Sequence, residues 1–560
     1  MIKNLSQILL LLPLLYISCK ERNAGPSKEA IDAINLKKGA LISCGTSGKQ
    51  FGTVEFETSC NQKGKQDFNL AIELLHSFEY DEAEKVFAKV IEAEPACAMA
   101  YWGVAMCNYH PLWTAPSEAE LKKGSKAIEI AQSITNKSKR EAGYIDAIAS
   151  FYKDWDKINN TTRCILFEKG MEKLYKQYPN DKEAAIFYTL SLDAAADPAD
   201  KSFKNQKLAG SILNALYAKD PNHPGIAHYI IHTYDYPELA ILALPVARKY
   251  ASIAPSSSHA LHMPSHIFTR LGLWDECIQS NLIATSSARC YAEAAGIKGH
   301  WDEELHAMDY LVYAYLQKRE NNLAKAQCDS LSKINEVYPV NFKVAYAFAA
   351  IPSRYLLENR IWDEAAKLKV YPANFPWRNF RWQEAIVHFA RLLGSVHTNA
   401  IDSAKAELTA LNTIYDTLIQ QKDLYKATEV QIQKKTGEAW IQYCQGKNSP
   451  ALALMNTAAA MEDKTEKHPV TPGEVIPARE LLGDMLMLMN KPNEALIAYE
   501  ADLEKHPNRF NGLYGAGLAA EKAGNAVKAT VYYKQLLAIV NPANLKKDEL
   551  YTINLFLKNH

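Results

Sequence analysis

Apolar side chains recur along most of this chain at the spacing of one helix face, and the pattern itself repeats. Segments 142–155, 164–178 and 184–196 carry apolar residues three or four positions apart, which predicts amphipathic α-helices rather than strands. Small and aromatic residues return at an interval of 34 near the C-terminus, in the pairs Gly483 and Gly517, Ala495 and Ala529, and Tyr499 and Tyr533. A period of about 34 residues is typical of a helix–turn–helix unit. The pattern therefore predicts an all-α solenoid.

The regularity of the repeat divides the chain. Strict spacing begins near Gly64, is lost between 111 and 222, returns with the histidines after 223 and is clearest near the C-terminus. We predict the following segments: a signal peptide at 1–18, a tether and N-terminal cap at 19–63, repeats and degenerate repeats at 64–222, central histidine-rich repeats at 223–345, degenerate repeats at 346–475 and C-terminal repeats at 476–560.

Composition narrows the class of partner. A chain of 560 residues is too long for one core, and 48% hydrophobic residues are enough to bury an extended array. Lys plus Arg and Asp plus Glu both number 63, so the formal net charge is zero. Binding to phosphate backbones needs a basic excess or stripe. We therefore expect no nucleic-acid partner.

The N-terminus has the features of a targeting segment. Lys3 precedes an apolar run from Ile8 to Ile17, which is too short to span a membrane as a helix. Ser18 and Cys19 then resemble a bacterial lipobox, in which a small residue precedes the lipidated cysteine, although Tyr16 stands where leucine is usual. We expect lipidation at Cys19 and a location in the cell envelope, outside the cytoplasm. An ordinary signal peptide or a short anchor is the alternative.

Histidine is concentrated in one part of the chain. Eight of the 15 histidines lie between residues 223 and 306. The H-x-x-x-H pair of His228 and His232 recurs 34 residues later as His262 and His266. Two successive repeats therefore carry a pair of imidazoles at the same place.

Six stretches resemble the tetratricopeptide repeat superfamily and, more narrowly, large bacterial exported lipoproteins built from such repeats. They are LLHSFEYDEAEKVF, CAMAYWGVAM, HPGIAHYIIH, HALHMPSHIFTRLGLWDE, HAMDYLVYAYLQ and EKHPVTPGEVIPARELLGDML, and they cover most of residues 51–540. The resemblance implies the fold and a role in interaction. It implies no reaction.

The resemblance also implies where the histidines point. In such arrays the fifth and ninth positions of the first helix of a unit face the concave groove, and residues four apart share one helix face. Neighbouring helix axes lie about 8–10 Å apart. We therefore expect one patch to contain His228, His232, His262, His266, His306 and Asp309. A second tier of candidates comprises His259, His76, His110, Arg354, Tyr229 and Tyr313.

Three interpretations of this patch remain open. Neutral imidazole is the commonest metal ligand, so the patch is a candidate site for zinc, copper or iron. It can instead bind a peptide, protein or small molecule in the groove, or the histidines can only pack the array. Neither pair is H-E-x-x-H, because Tyr229 and Met263 occupy the glutamate position, so a zincin protease is not indicated. Pro264 is expected to distort the second pair.

We therefore predict an envelope-anchored solenoid that binds a ligand in a histidine-lined groove, with a metal ion as one candidate cofactor. The alternative is a metal-dependent enzyme that uses the same residues, for which Asp309 and Asp235 are the nearest acidic candidates. For an exported chain, disulfides are expected. Cys60 and Cys97 precede the opening helices of the first two repeats, so we favour that bridge, with Cys44–Cys60 as the alternative.

Overall fold

The apolar periodicity forms helices through almost the whole protein. The computed structural model describes residues 25–45 and 50–560. Within these ranges the first helices are α1 (Lys28–Asp32), α2 (Lys65–His76), α3 (Tyr80–Ala93), α4 (Ala98–Cys107), α5 (Glu118–Ser133), α6 (Lys139–Tyr152), α7 (Asn160–Gln177), α8 (Lys182–Ala194) and α9 (Lys204–Tyr217). The central helices are α10 (Pro224–Thr233), α11 (Ala240–Ile253), α12 (Ser258–His262), α13 (Pro264–Arg270), α14 (Trp274–Ala294), α15 (Asp302–Gln317), α16 (Asn321–Leu331), α17 (Phe342–Glu358) and α18 (Trp362–Ala365).

The remaining helices follow without a change of architecture. They are α19 (Arg381–His397), α20 (Ile401–Gln420), α21 (Leu424–Cys444), α22 (Asn448–Glu462), α23 (Ala478–Leu488), α24 (Pro492–Lys505), α25 (Phe510–Lys522), α26 (Ala526–Ile539) and α27 (Lys547–Asn559). Short 3₁₀ turns occupy Gln62–Gly64, Trp377–Asn379 and Pro542–Asn544. Among the described residues, strand structure is confined to a parallel pair of two-residue strands, β1 (His300–Trp301) and β2 (Val337–Tyr338).

From α2 onward the helices pack as successive hairpins. Helix α2 packs on α3, α4 on α5, and this pairing continues to α25 and α26. The first helices of neighbouring hairpins also pack on one another, as α4 does on α6 and α15 on α17. The chain is an all-α solenoid of helical hairpins, as the periodicity predicts.

The small and aromatic positions of the repeat explain how the helices approach. A Cβ atom added at Gly483 would lie 2.6 Å from the ring of Tyr499, and one added at Gly517 would lie 2.5 Å from the ring of Tyr533. Real side chains do not tolerate such distances, so glycine on the first helix makes room for tyrosine on the second. The 34-residue spacing of these glycines and tyrosines reflects this contact within each hairpin.

The superhelix is tight enough to close its own inner face. Helix α2 contacts α10, and α15 contacts α25, which lies five hairpins further along the chain. The indole Nε1 of Trp274 donates to the carbonyl oxygen of Asn508 at 2.8 Å, and Arg319 forms an ion pair with Glu549. The sequence predicts an open concave groove. In the structure, side chains from successive superhelical turns fill that space instead.

The segment before α2 lies along the solenoid and is tied to it covalently. Within this segment, the backbone N–H of Thr53 donates to the carbonyl oxygen of Asn222 at 3.2 Å. Cys60 and Cys97, the favoured pairing, form a disulfide with a Cα separation of 5.1 Å. Cys44 is bonded to Cys290 on α14 rather than to Cys60, with a Cα separation of 5.8 Å. The sequence did not indicate this second bridge, because its partners lie 246 residues apart.

Within residues 25–45 and 50–560, no helix is both long enough and apolar enough to cross a bilayer. Cys19 and the predicted signal peptide lie outside the described residues.

We expect replacement of Cys44 by serine to lower the free energy of unfolding by about 3–5 kcal/mol, because the bridge closes a very long loop in the unfolded chain. Urea unfolding of the oxidised protein measures this effect. Cys97→Ser, which opens a loop of 37 residues, is the matched control and should cost less. Equal stability of Cys44→Ser and wild type would show that the long bridge contributes nothing.

Candidate metal centre

Three histidines from two hairpins form a first triad. Helix α10 starts with Pro224, whose missing N–H costs nothing in a first turn. His228 and His232 lie four residues apart on this helix and so share a face. The Nε2 atom of His228 is 3.0 Å from Nε2 of His232 and 3.2 Å from Nε2 of His259 on α12.

A second triad follows where the helix breaks. Pro264 ends α12 and begins α13, because it has no N–H to continue the helical ladder. Despite this break, Nε2 of His262 and Nε2 of His266 lie 3.2 Å apart. His306 on α15 completes the group, with its ring centroid 4.3 Å from that of His262.

The spacing within each triad suits a metal ion. In both, one nitrogen from each ring lies within 4.8 Å of the other two. Tetrahedral zinc with nitrogens at about 2.0–2.1 Å places two ligand nitrogens about 3.3 Å apart. The measured separations of 3.0–3.2 Å are close to that value.

Acceptors at Nδ1 fix the tautomers of three triad histidines. Nδ1 of His228 lies 2.6 Å from the backbone carbonyl oxygen of His76, which can only accept, so this nitrogen donates. Nδ1 of His262 likewise donates to Oδ1 of Asn281 at 2.6 Å, while Nδ2 of Asn281 donates to the carbonyl oxygen of Cys277. In a neutral ring with a proton on Nδ1, Nε2 presents a lone pair.

The third fixed ring is held by a carboxylate. Nδ1 of His266 donates to Oδ2 of Asp235 at 3.1 Å. Nε of Arg270 and Nζ of Lys467 donate to the same carboxylate at 2.8 and 3.2 Å. Burial alone would raise the pKa of Asp235, but the cationic Lys467 and Arg270 hold it well below its usual range. The carboxylate is therefore ionised. Carboxylate–histidine pairs of this kind orient metal ligands.

Burial keeps five of the triad rings neutral. It lowers the pKa of four triad members well below the usual imidazole value, and neighbouring imidazoles lower it further: His228, His232, His262 and His306. Burial also lowers the pKa of His266, although Asp235 opposes the effect. The lone pairs are therefore available at neutral pH.

The two triads are neighbours behind an aromatic wall. The ring centroids of His232 and His266 are 6.3 Å apart. The ring of Phe78 lies 4.4 Å from that of His228, and the ring of Trp113 lies 5.3 Å from that of His232. His232 is partly exposed, whereas the other five triad histidines are buried. Solvent therefore reaches the two triads from the side of His232.

A third cluster has its hydrogen bonds satisfied. Nε2 of His76 and Nε2 of His223 donate to the carboxylate of Glu183 at 2.9 and 2.7 Å. Nδ1 of His76 accepts from the hydroxyl of Tyr229, and Nδ1 of His223 accepts from the backbone N–H of Ile226. No imidazole lone pair is left over, so we interpret this cluster as a structural support beneath His228.

Asp309 and the second-tier residue Arg354 are paired with each other. Asp309, which the sequence predicts within the patch, is held in an ion pair by the buried guanidinium of Arg354 instead. An unpaired guanidinium would be costly in the interior. Arg354 also donates to the carbonyl oxygen of Gly473, so it does not await a ligand carboxylate.

Two further candidates lie outside both triads. His110 is paired with Glu120 at 3.0 Å, and the hydroxyl of Tyr313 accepts from Arg509 at 3.0 Å. His259, placed by the sequence only in the second tier, belongs to the first triad.

Several supporting residues escaped the sequence analysis. Asn281 lies on a second helix, and Lys467 comes from the segment between α22 and α23, so no spacing links either to the histidines. Glu303 is different, because it lies one turn before His306 in the same helix. Its Oε2 is 3.9 Å from Nδ1 of His259, and its other oxygen pairs with Lys343. An i, i+3 search around His306 would have found it.

No protein-family model and no curated protein matches the chain. Among solved structures, the Naa15/Naa10 complex bound to HypK-THB covers 89% of this chain and 73% of its own, at 12% identity and a TM-score of 0.22. Human IFIT1 with m7Gppp-AAAA covers 83% of this chain and 94% of its own, at 11% identity and a TM-score of 0.31. Similarity at these TM-scores carries no inference about function.

We expect Glu183→Gln to lower the free energy of unfolding by about 3 kcal/mol at neutral pH, because one of the two oxygens that accept from His76 and His223 becomes an NH2 group, which cannot accept. The two imidazoles hold the pKa of Glu183 below its usual value against the effect of burial. This stabilisation is present above the carboxyl pKa of the unfolded chain, near 4.5, and is lost as the pH falls below it. The difference between variant and wild type should therefore shrink in urea unfolding at low pH.

Metal content is the control for this experiment. Glu183→Gln should retain as much metal as wild type. Loss of an ion from the variant would instead identify the third cluster as a metal site.

Proposed function

We propose that this protein is a metalloprotein in which each histidine triad holds one transition-metal ion. The approach of two lone pairs in the second triad carries the proposal. Nε2 of His262 and Nε2 of His266 are 3.2 Å apart, and the proton of each ring is committed to an acceptor at Nδ1. Two lone pairs this close repel each other unless a cation lies between them.

The first triad supports the proposal independently. Nε2 of His228 carries a lone pair, because the proton of the ring is on Nδ1 and is bound by a backbone carbonyl. Two further Nε2 atoms lie 3.0 and 3.2 Å from it. Three protein nitrogens leave a fourth coordination position open, as catalytic zinc sites do. Imidazole ligands suit zinc, copper and iron, the metals predicted from the sequence.

The ligand that the sequence predicts would bind at these ions. A bound peptide or protein would need an open groove, whereas the inner face beside the triads is filled by Phe78 and Tyr310. The backbone of Val470 accepts from the Tyr310 hydroxyl and helps close this face. We therefore favour a small-molecule ligand bound at the metals, and with it the metal-dependent enzyme.

We expect purified wild-type protein to contain about two transition-metal ions per chain. His228→Ala and His262→Ala should each lose most of one ion and keep the other, because each removes a ligand from only one triad. Elemental analysis of the three proteins measures this. Thermal melts of metal-free samples should show that each variant is still folded, since the array is held by neighbour contacts.

His388→Ala is the matched control, because His388 is a partly buried histidine that pairs with Glu407 away from the triads. It should bind as much metal as wild type. The proposal fails if wild type binds no ion after dialysis against zinc, copper or ferrous salts, or if His262→Ala binds as many ions as wild type.

We also propose that the protein is exported and held at the cell envelope through Cys19. Two disulfides support the export, because such bonds persist in oxidising compartments. The lipobox-like sequence before Cys19 supports the anchor.

Cys19→Ala should prevent lipidation and move the protein from the membrane fraction to the soluble fraction. Fractionation of cells followed by immunoblotting measures the change, and Ser18→Ala, which keeps a small residue before the cysteine, is the control. A variant that stays membrane-bound and is processed as before would exclude the lipid anchor.

A further inference from the structure

The charge around the triads discriminates among the metals that imidazole binds. All six ligands are imidazoles, which bind a metal ion in their uncharged form, and the ligand sets contain no carboxylate or thiolate. The nearest carboxylates are already compensated. Asp235 faces Arg270 and Lys467, and Glu303 faces Lys343. Asp302 also contacts Lys343.

A buried site built only from imidazole ligands disfavours highly charged ions. The cost of taking an ion out of water rises with the square of its charge, so two monovalent ions cost about a quarter as much as two divalent ions. Dinuclear sites for divalent ions would be expected to include ligand carboxylates that cancel part of this charge. Of zinc, copper and iron, only copper has a stable monovalent state, and imidazole suits it.

We propose, building on the two-ion centre above, that the triads hold a pair of cuprous ions and that their ligand is dioxygen. The three nitrogens of each triad leave an open position, and His232 of the first triad adjoins His266 of the second, with ring centroids 6.3 Å apart. A two-atom ligand at these open positions would contact both ions.

The reaction balances without another reactant. Each cuprous ion gives one electron and becomes cupric, and dioxygen accepts both electrons to become a bound peroxide dianion. The Cu–O bonds form while the O–O double bond becomes a single bond, which is not broken. The centre carries two positive charges before binding. It also carries two afterwards, since four metal charges are offset by two on the peroxide. The uncharged imidazole ligands therefore suit both states.

The walls of the site fit a small, uncharged ligand. Phe78 packs against all three rings of the first triad, at 4.4, 5.6 and 5.8 Å from His228, His232 and His259. Trp113 covers His232 and His259 from the same side. These rings offer no partner to a charged molecule and limit the access of water, which would protonate and release the peroxide.

The experiment is anaerobic loading of the full-length protein with cuprous ion, removal of unbound metal, and exposure to measured dioxygen. Wild type should take up about one dioxygen per two copper ions and gain an absorption band that zinc-loaded protein lacks. His262→Ala, with one complete triad, should lose this uptake and band. Phe78→Ala should keep both copper ions, yet its band should decay faster than that of wild type and release hydrogen peroxide.

The outcomes separate this inference from the two-ion centre. Two bound copper ions without dioxygen uptake overturn the inference and leave the centre intact. Two ions of zinc or iron, with no binding of cuprous ion, also overturn it alone. Failure to bind any metal overturns both. Uptake by His262→Ala equal to that of wild type would show that dioxygen does not need the pair.

Discussion

The candidate metal centre depends on one electrostatic constraint, which is that the buried rings of His262 and His266 point lone pairs at one another. Each fixed ring is held by a different kind of acceptor at Nδ1: the backbone carbonyl of His76, the amide of Asn281 and the carboxylate of Asp235. These acceptors decide which nitrogen carries the proton and therefore where the lone pair lies. Burial removes the water and the protons that would relieve the repulsion. A metal ion relieves it without any rearrangement of the rings.

The acceptors come from parts of the chain that only the superhelix brings together. His76 ends α2, four hairpins before the helix that carries His228, and Lys467 reaches Asp235 from a segment more than 200 residues further on. An open solenoid of the same repeats would keep the histidine pairs but lose their supports. Closure of the inner face is thus what converts a periodic surface into a site with defined tautomers and limited access.

Local periodicity explains which features the sequence could predict. The all-α solenoid follows from the apolar spacing and from pairs such as Gly483 and Tyr499. The grouping of His228 with His232, and of His262 with His266, follows from repeat register alone. Contacts between distant turns leave no such record, which is why the partner of Cys44, the role of Asn281 and the pairing of Asp309 with Arg354 were not foreseen. The division into two triads is also a property of three dimensions.

The contacts between distant turns have an evolutionary consequence. Repeat arrays ordinarily lengthen or shorten by duplication or deletion of whole units, because each unit touches only its neighbours. In this protein Trp274 meets Asn508, and Arg319 meets Glu549, across five or more intervening hairpins. One added or lost unit between them would rotate every later residue out of register with its partner. Selection acting on this protein would therefore hold its number of units constant, as it does in an ordinary globular domain.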